Sequence, residues 1–240
     1  MKKIDNITLG ITCYNEENNI TLCLENCLNF LSKNNVRNYE VLVTDNLSSD
    51  RTVMVVKKFI SKKKNKKIKL IKNKTNILYS GSVNKIITLS KFNNIGIIDG
   101  DGEYDFHDFK KLFAKLNSGY DLVFGWRENR QDKIFRIFVT NVFNFLAKII
   151  INSKINDLNC GIRVLKKPIF KKKFIEFKLN HANPEIYCKF LFKNKKISEV
   201  KVSHKIRKSG QSIHSFKNLI KTFFEVLSYF MRLRYKYIKN

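Results

Sequence analysis

Proline and glycine are scarce in this chain, with 2 prolines and 9 glycines in 240 residues. That scarcity excludes a collagen-like fibre and a Pro/Gly-rich disordered chain. The 5 cysteines are Cys13, Cys23, Cys27, Cys160 and Cys188. None forms a C-x-x-C pair and their number is odd, so the simplest reading is reduced thiols in a cytosolic setting. Long apolar runs are also missing. No stretch of about 18 apolar residues is free of charge, so no transmembrane span is expected. The start, Met1 to Asn6, lacks the apolar core of a signal peptide. These absences lead to the expectation of a cytoplasmic protein.

Acidic residues are few: 20 Asp and Glu stand against 47 Lys and Arg, a net charge of +27. Lys, Asn, Ile and Phe are abundant together, so a compositional drift accounts for part of this excess. The functional reading is attraction to polyanions or to an anionic membrane face. Nucleic acid is not expected as a partner. No zinc-finger spacing, RNP-type aromatic motif or basic zipper accompanies the charge.

A hydrophobic content of 43% in a chain of this length supports one sizeable core. The first half alternates strand-like and helix-like segments. Strands are expected at Ile7 to Thr12, Tyr39 to Thr44, Ile68 to Ile71, Ile95 to Ile98 and Asp121 to Phe124. Helices are expected at Asn18 to Leu31, from Asp50 onward, at Ser82 to Ser90 and at Phe106 to Leu116. That alternation implies a mostly parallel sheet covered on both faces. In the second half, helices are expected at Ile134 to Ile151, Pro184 to Lys193 and Phe216 to Tyr237, and strands at Ile162 to Leu165 and Ile197 to Val202.

Two carboxylates, Asp99 and Asp101, follow the apolar run Ile95 to Ile98 and flank Gly100. At the carboxyl end of a strand in an open sheet they would hold a hard divalent cation, and the cation would hold a diphosphate. Thr12-Cys13-Tyr14-Asn15-Glu16 follows the first strand, and Asp45-Asn46-Leu47-Ser48-Ser49-Asp50 follows the second. Both segments suit hydrogen bonding to a base and ribose. Both also suit helix capping, with Asn15 and Asp50 as caps. His107 and His214 have no partners at metal-ligand spacing, and Cys160 lacks a Cys–His signature, so a thiol nucleophile is not expected.

Together these segments resemble family 2 glycosyltransferases of the GT-A fold, most of all the dolichyl-phosphate mannosyltransferase-like group. The likeness adds Phe124-Gly125-Trp126-Arg127, Asp157-Leu158-Asn159-Cys160-Gly161-Ile162-Arg163, Glu185, and His204-Lys205-Ile206-Arg207-Lys208-Ser209-Gly210-Gln211-Ser212, in the family's order. It spans residues 7 to about 214. Departures are Thr12 for the family's proline, Asn46-Leu47 for Asp-Gly, and Leu78 where glycine is common. The Gln-x-x-Arg-Trp motif of processive synthases is absent.

The resemblance implies a single α/β domain of the GT-A type over 1–212, followed by an amphipathic basic and aromatic helix over 213–240. It implies inverting transfer of one sugar from a GDP- or UDP-sugar, aided by Mg²⁺ or Mn²⁺ held by Asp99 and Asp101. Asp101, Arg127 and Arg207 would act in catalysis. Thr12, Tyr14, Asn15, Glu16, Asp45, Asn46, Asp99 and Gly100 would bind the nucleotide-sugar. Arg136, Asp157, Arg163, Glu185, Lys205 and Ser212 would serve phosphate or acceptor. The expected acceptor is a polyprenyl phosphate, with the protein lying peripherally on the cytoplasmic face of a membrane. A glycan or lipid-linked sugar hydroxyl is the alternative acceptor, and a degenerate, non-catalytic nucleotide-sugar binder the alternative function. The helices at Phe135 to Ile150 and Phe216 to Tyr237 would pack in the core or lie on the membrane interface.

Overall fold

The computed structural model describes residues 4–128, 130–131, 134–168, 174–206 and 219–238. A seven-stranded sheet runs in the order β3-β2-β1-β4-β6-β5-β7. The strands are β1 (Ile7–Cys13), β2 (Tyr39–Asp45), β3 (Ile68–Lys72), β4 (Asn94–Asp99), β5 (Leu122–Arg127), β6 (Arg163–Lys166) and β7 (Ile197–Val202). Val, Ile and Leu dominate β1 and β2, and nearly every residue in both is buried. Strands covered on both faces need such continuous apolar runs. All strands run parallel except β6, which pairs antiparallel with both β4 and β5. The expected mostly parallel sheet is therefore found, with one reversed strand inserted.

Helices α1 (Ile20–Lys33), α2 (Thr52–Lys63) and α4 (Phe109–Asn117) cover one face. Phe30, Phe106, Phe109 and Phe113 pack there against Leu9, Ile11, Val41 and Val43. Helices α3 (Leu78–Leu89), α5 (Ile134–Ile151), α6 (Asn183–Phe192) and α7 (Leu219–Tyr237) cover the other. Their core joins Ile86, Phe143, Ile186 and Phe230 to Ile95, Ile97, Leu122 and Phe124. A short 3₁₀ turn, Phe106–Asp108, precedes α4, with Asp105 accepting from the His107 N–H. α3 starts at Leu78, one turn earlier than its apolar pattern indicates, with Leu78 itself at a positive φ.

The two Phe-rich helices each divide their apolar side chains between the core and the surface. In α5 the buried stripe is Thr140, Phe143, Asn144, Ala147, Ile150 and Ile151. Phe138, Phe145 and Ile149 remain exposed. In α7, Val226, Tyr229, Phe230 and Leu233 are buried, while Phe223, Phe224 and Met231 are exposed. Arg234 of α7 donates to the Ile150 carbonyl at the end of α5, 2.8 Å away. A cation there satisfies an end carbonyl and the helix dipole. No membrane span was expected, yet α5 is long and apolar enough to cross a membrane despite Arg136 and Lys148. A third of that window (33%) is buried inside the fold.

Candidate functional site

The sheet order reverses between β1 and β4, and open α/β sheets bind ligands at such a switch point. The register puts Thr12 of β1 directly beside Asp99 of β4 and Cys13 beside Asp45 of β2. Thr12 Oγ1 donates to Asp99 Oδ1 at 2.9 Å, and the Gly100 N–H donates to the Thr12 carbonyl at 2.8 Å. Past Gly100, the Glu103 N–H donates to Asp101 Oδ1 at 3.1 Å. Both carboxylates thus emerge from the switch point, as the sequence pattern indicates.

Their electrostatics suit a cation. Burial, followed by the Glu103 and Asp99 charges, pushes the Asp101 carboxyl well above its usual range. Burial also raises Asp99, but Arg163, Thr12 and Tyr79 oppose that rise. Crowded carboxylates are stabilised by a positive ion between them. Among the described residues no group of three or more His, Cys, Asp and Glu side chains forms a metal cage. Asp99 and Asp101 are the two carboxylates here that could hold a metal ion. The pair fits a hard divalent ion completing its shell with water and a substrate diphosphate.

At the rim, Tyr14 is 39% exposed. Asn15 does not cap α1. Its backbone has φ +54°, its N–H donates to Ser48 Oγ, and its Oδ1 accepts from the Ser49 N–H. It ties the loop after β1 to the loop after β2. Glu16 is buried, with its N–H on Thr52 Oγ1 and a carboxylate oxygen accepting from Asn19. Asp45 was expected at the base. Instead it is fully buried and accepts from the Ser48 N–H and hydroxyl, so it shapes the loop. Asn46 bridges to the next loop through Asn76 and the Ile77 N–H. Asp50 accepts from the Thr52 N–H at 2.9 Å and caps α2 from one residue before the N-cap position.

Arg127, expected in catalysis, and Arg163, expected at the phosphate or acceptor, both have partners inside the protein. Arg127 is 6% exposed and pairs bidentately with Asp157, at 2.7 and 2.9 Å. Arg163 is 0% exposed, and both its terminal nitrogens donate to the Tyr79 hydroxyl at 3.0 Å. Asp157 and Arg163 therefore serve the scaffold beneath the site. Glu185 is also fully buried. It accepts from the Glu176 and Phe177 N–H groups and pairs with Lys189, which anchors the chain before α6. Arg207 and Ser212 lie outside the described residues.

Three residues given no role in the sequence, Tyr79, Glu103 and Tyr104, complete the arrangement together with His204, which opens the last of the family segments. Tyr104 and His204 form a β-bridge that joins the loop after β4 to the chain leaving β7. His204 Nδ1 accepts from the Gln131 N–H at 3.2 Å, so Nε2 carries the proton directed at Glu103 Oε2, 3.4 Å away. Arg136 approaches the other Glu103 oxygen at 3.6 Å, and Lys205 donates to Asp105 at 2.9 Å. Beside this network a groove of about 700 Å³ is lined by Trp126, Arg127, Glu128, Arg130, Gln131, Ile137 and Asn141. The one available signal was Glu103, which follows Asp101 by two residues. Tyr79 carries no local pattern, because its partners are far away in sequence.

Residues 8–174 match glycosyl transferase family 2, most of the chain. The chain belongs to that family. It is a glycosyltransferase of the GT-A fold. It is 24% identical over 95% of its length to an undecaprenyl-phosphate 4-deoxy-4-formamido-L-arabinose transferase of Photorhabdus laumondii, spanning 68% of that protein. It is 24% identical over 98% of its length to a dolichyl-phosphate beta-glucosyltransferase of Dictyostelium discoideum, spanning 76% of it. Among solved structures, a Pyrobaculum calidifontis mannosyltransferase in complex with GDP-Man and Mn²⁺ superposes with TM-score 0.61 and 14% identity, covering 85% of this chain and 58% of that one. A glucosyl-3-phosphoglycerate synthase of Mycobacterium tuberculosis, in complex with Mn²⁺, UDP and phosphoglyceric acid, gives TM-score 0.66 and 12% identity, covering 94% and 78%.

Proposed function

We propose that this glycosyltransferase moves one sugar, with inversion, from a nucleotide-sugar to a polyprenyl phosphate at a membrane surface. The observation that carries the donor half is the pair Asp99–Asp101 at the switch point, with Thr12 fixing the first carboxylate. A divalent ion there would offset charge on the departing nucleoside diphosphate. Asp101 would hold it, Asp99 would accept from the ribose or from water on the ion, and Tyr14 would face the base. Relatives named for polyprenyl-phosphate acceptors support the acceptor half. A phosphate is already anionic at neutral pH, so attack on the anomeric carbon needs no strong general base.

The groove at Trp126, Arg130 and Asn141 would take the acceptor phosphate, with Arg136 and Lys205 beside it. Exposed Ile134 and Phe138 in the first turns of α5 would meet the lipid chain. Exposed apolar residues on α5 and α7, in a chain of charge +27, suit an anionic leaflet.

The test is a panel of UDP-, GDP- and dTDP-sugars with Mn²⁺, read first by thermal shift and then by transfer. One donor should raise the melting temperature only with the metal and should label a polyprenyl phosphate. No shift with any donor sinks the donor assignment. Transfer to sugar hydroxyls but never to the lipid phosphate sinks the acceptor assignment.

A further inference from the structure

Arg163 is a fully buried cation that forms no direct ion pair among the described residues. Burying a guanidinium without a compensating charge is costly. Its two terminal nitrogens converge on one oxygen, the Tyr79 hydroxyl, each at 3.0 Å, and its carbon centre lies 5.7 Å from the Tyr79 ring centroid. Two incoming N–H groups fill both lone pairs of that hydroxyl. Its single proton is then left to point away from Arg163, and Asp99, whose carboxylate acts on the Tyr79 hydroxyl and is acted on by it, is the acceptor on that side. Thr12 holds the same carboxylate from β1. The three residues come from separate elements: Tyr79 from α3, Arg163 from β6 and Asp99 from β4.

We propose that Tyr79 and Arg163 are positioning residues for Asp99: Arg163 orients the Tyr79 hydroxyl, and the hydroxyl fixes the carboxylate that receives the nucleotide-sugar. The inference rests on the functional reading above. Asp99 obtains its counter-charge from inside the protein, through a phenol. Asp101 has no such partner and is left for the cation. Neither Tyr79 nor Arg163 touches the substrate in this arrangement. A hydrogen bond with charged partners contributes more than a neutral one, so losing this one should weaken ligand binding about tenfold.

Tyr79→Phe removes one oxygen and keeps the ring. The dissociation constant for UDP or GDP with Mn²⁺, whichever binds the parent protein, should rise about tenfold by calorimetry. KM for the donor should rise in step while kcat stays within about threefold, because Asp99 contacts the donor in ground and transition states alike. A purely structural role would lower the melting temperature and leave the folded variant's nucleotide affinity unchanged. Arg163→Lys keeps a positive charge but loses the fork, and should weaken binding in the same direction. It also replaces Tyr79→Phe as the test if that variant does not fold. Unchanged affinity in a folded variant, beside a parent that binds, overturns the relay alone. A parent that binds no nucleotide overturns the functional reading, and the relay with it.

Discussion

Gly161 lies directly against Asp99: a Cβ placed on it would stand 2.2 Å from Asp99 Oδ2 and 2.7 Å from the Tyr104 ring. Neither neighbour yields easily. Asp99 is held by Thr12 and Tyr79, and the Tyr104 hydroxyl accepts from the Gly161 N–H at 2.9 Å. Gly161→Ala therefore has to displace the carboxylate or open the β6 entry. Overpacking of this kind costs about 1–3 kcal/mol. The expected outcome is a lower melting temperature together with a lost metal-dependent nucleotide shift. A variant with normal nucleotide binding would show that Asp99 tolerates movement and does not need this seat.

Asp101 should trade stability for binding. Its pKa is raised by burial, then by Glu103 and Asp99. A carboxyl with a higher pKa folded than unfolded holds its proton more tightly in the folded state. Its ionisation penalises folding fully above the raised folded value, and the penalty disappears below about 3.9, the ordinary unfolded value. Asp101→Asn should therefore melt roughly 3 °C or more above the parent at pH 8 without metal. The difference should close as pH falls toward about 4. The variant should also lose the shift that Mn²⁺ plus nucleotide gives the parent. Equal melting curves at pH 8 would mean that the site carries no stored repulsion.

Leu47 and Leu78 both hold a left-handed backbone, with φ of +64° and +57°. These are the positions where the family's pattern has glycine. A branched residue with a Cβ costs about 1–2 kcal/mol in that conformation. Leu47 is 43% exposed, so little packing is lost on removing its side chain. Glycine adds freedom to the unfolded chain worth about 0.5–1 kcal/mol, which offsets part of the relief. Leu47→Gly should land within about 1 kcal/mol of the parent in urea denaturation, on the stable side. A loss of about 2 kcal/mol or more would mean that the Leu47 side chain anchors the loop.

The strand and helix pattern was legible because its signals are local. The apolar runs of β1, β2 and β4 and the spacing Ile20, Cys23, Cys27, Phe30, Leu31 in α1 need no distant partner. Asp99 and Asp101 were legible for the same reason, since a carboxylate at a strand's end marks its own place. What the sequence hid is where each long side chain ends. Arg127 and Arg163 carry no local sign that they turn inward, to Asp157 and Tyr79. Only the register of β6 between β4 and β5 decides this. The reversed direction of β6 was equally hidden, because a strand of four residues, Arg163–Lys166, reads the same either way.

The Arg127–Asp157 pair gives the sharpest contrast between a scaffold and a catalytic role. Both side chains are only 4% exposed, and the contact is a two-point fork. Removing one partner strands a buried charge, which costs about 3–5 kcal/mol. Asp157→Ala should accordingly unfold at much lower urea. Replacing both residues by apolar ones of similar volume, Arg127→Met with Asp157→Leu, removes the stranded charge and should recover most of the stability. A catalytic arginine would leave that double variant folded but unable to use the donor. A scaffold arginine would leave its metal-dependent nucleotide shift close to the parent's. The bidentate burial of Arg127 favours the second outcome. A stable double variant without any nucleotide shift would return Arg127 to the catalytic role that the resemblance implied.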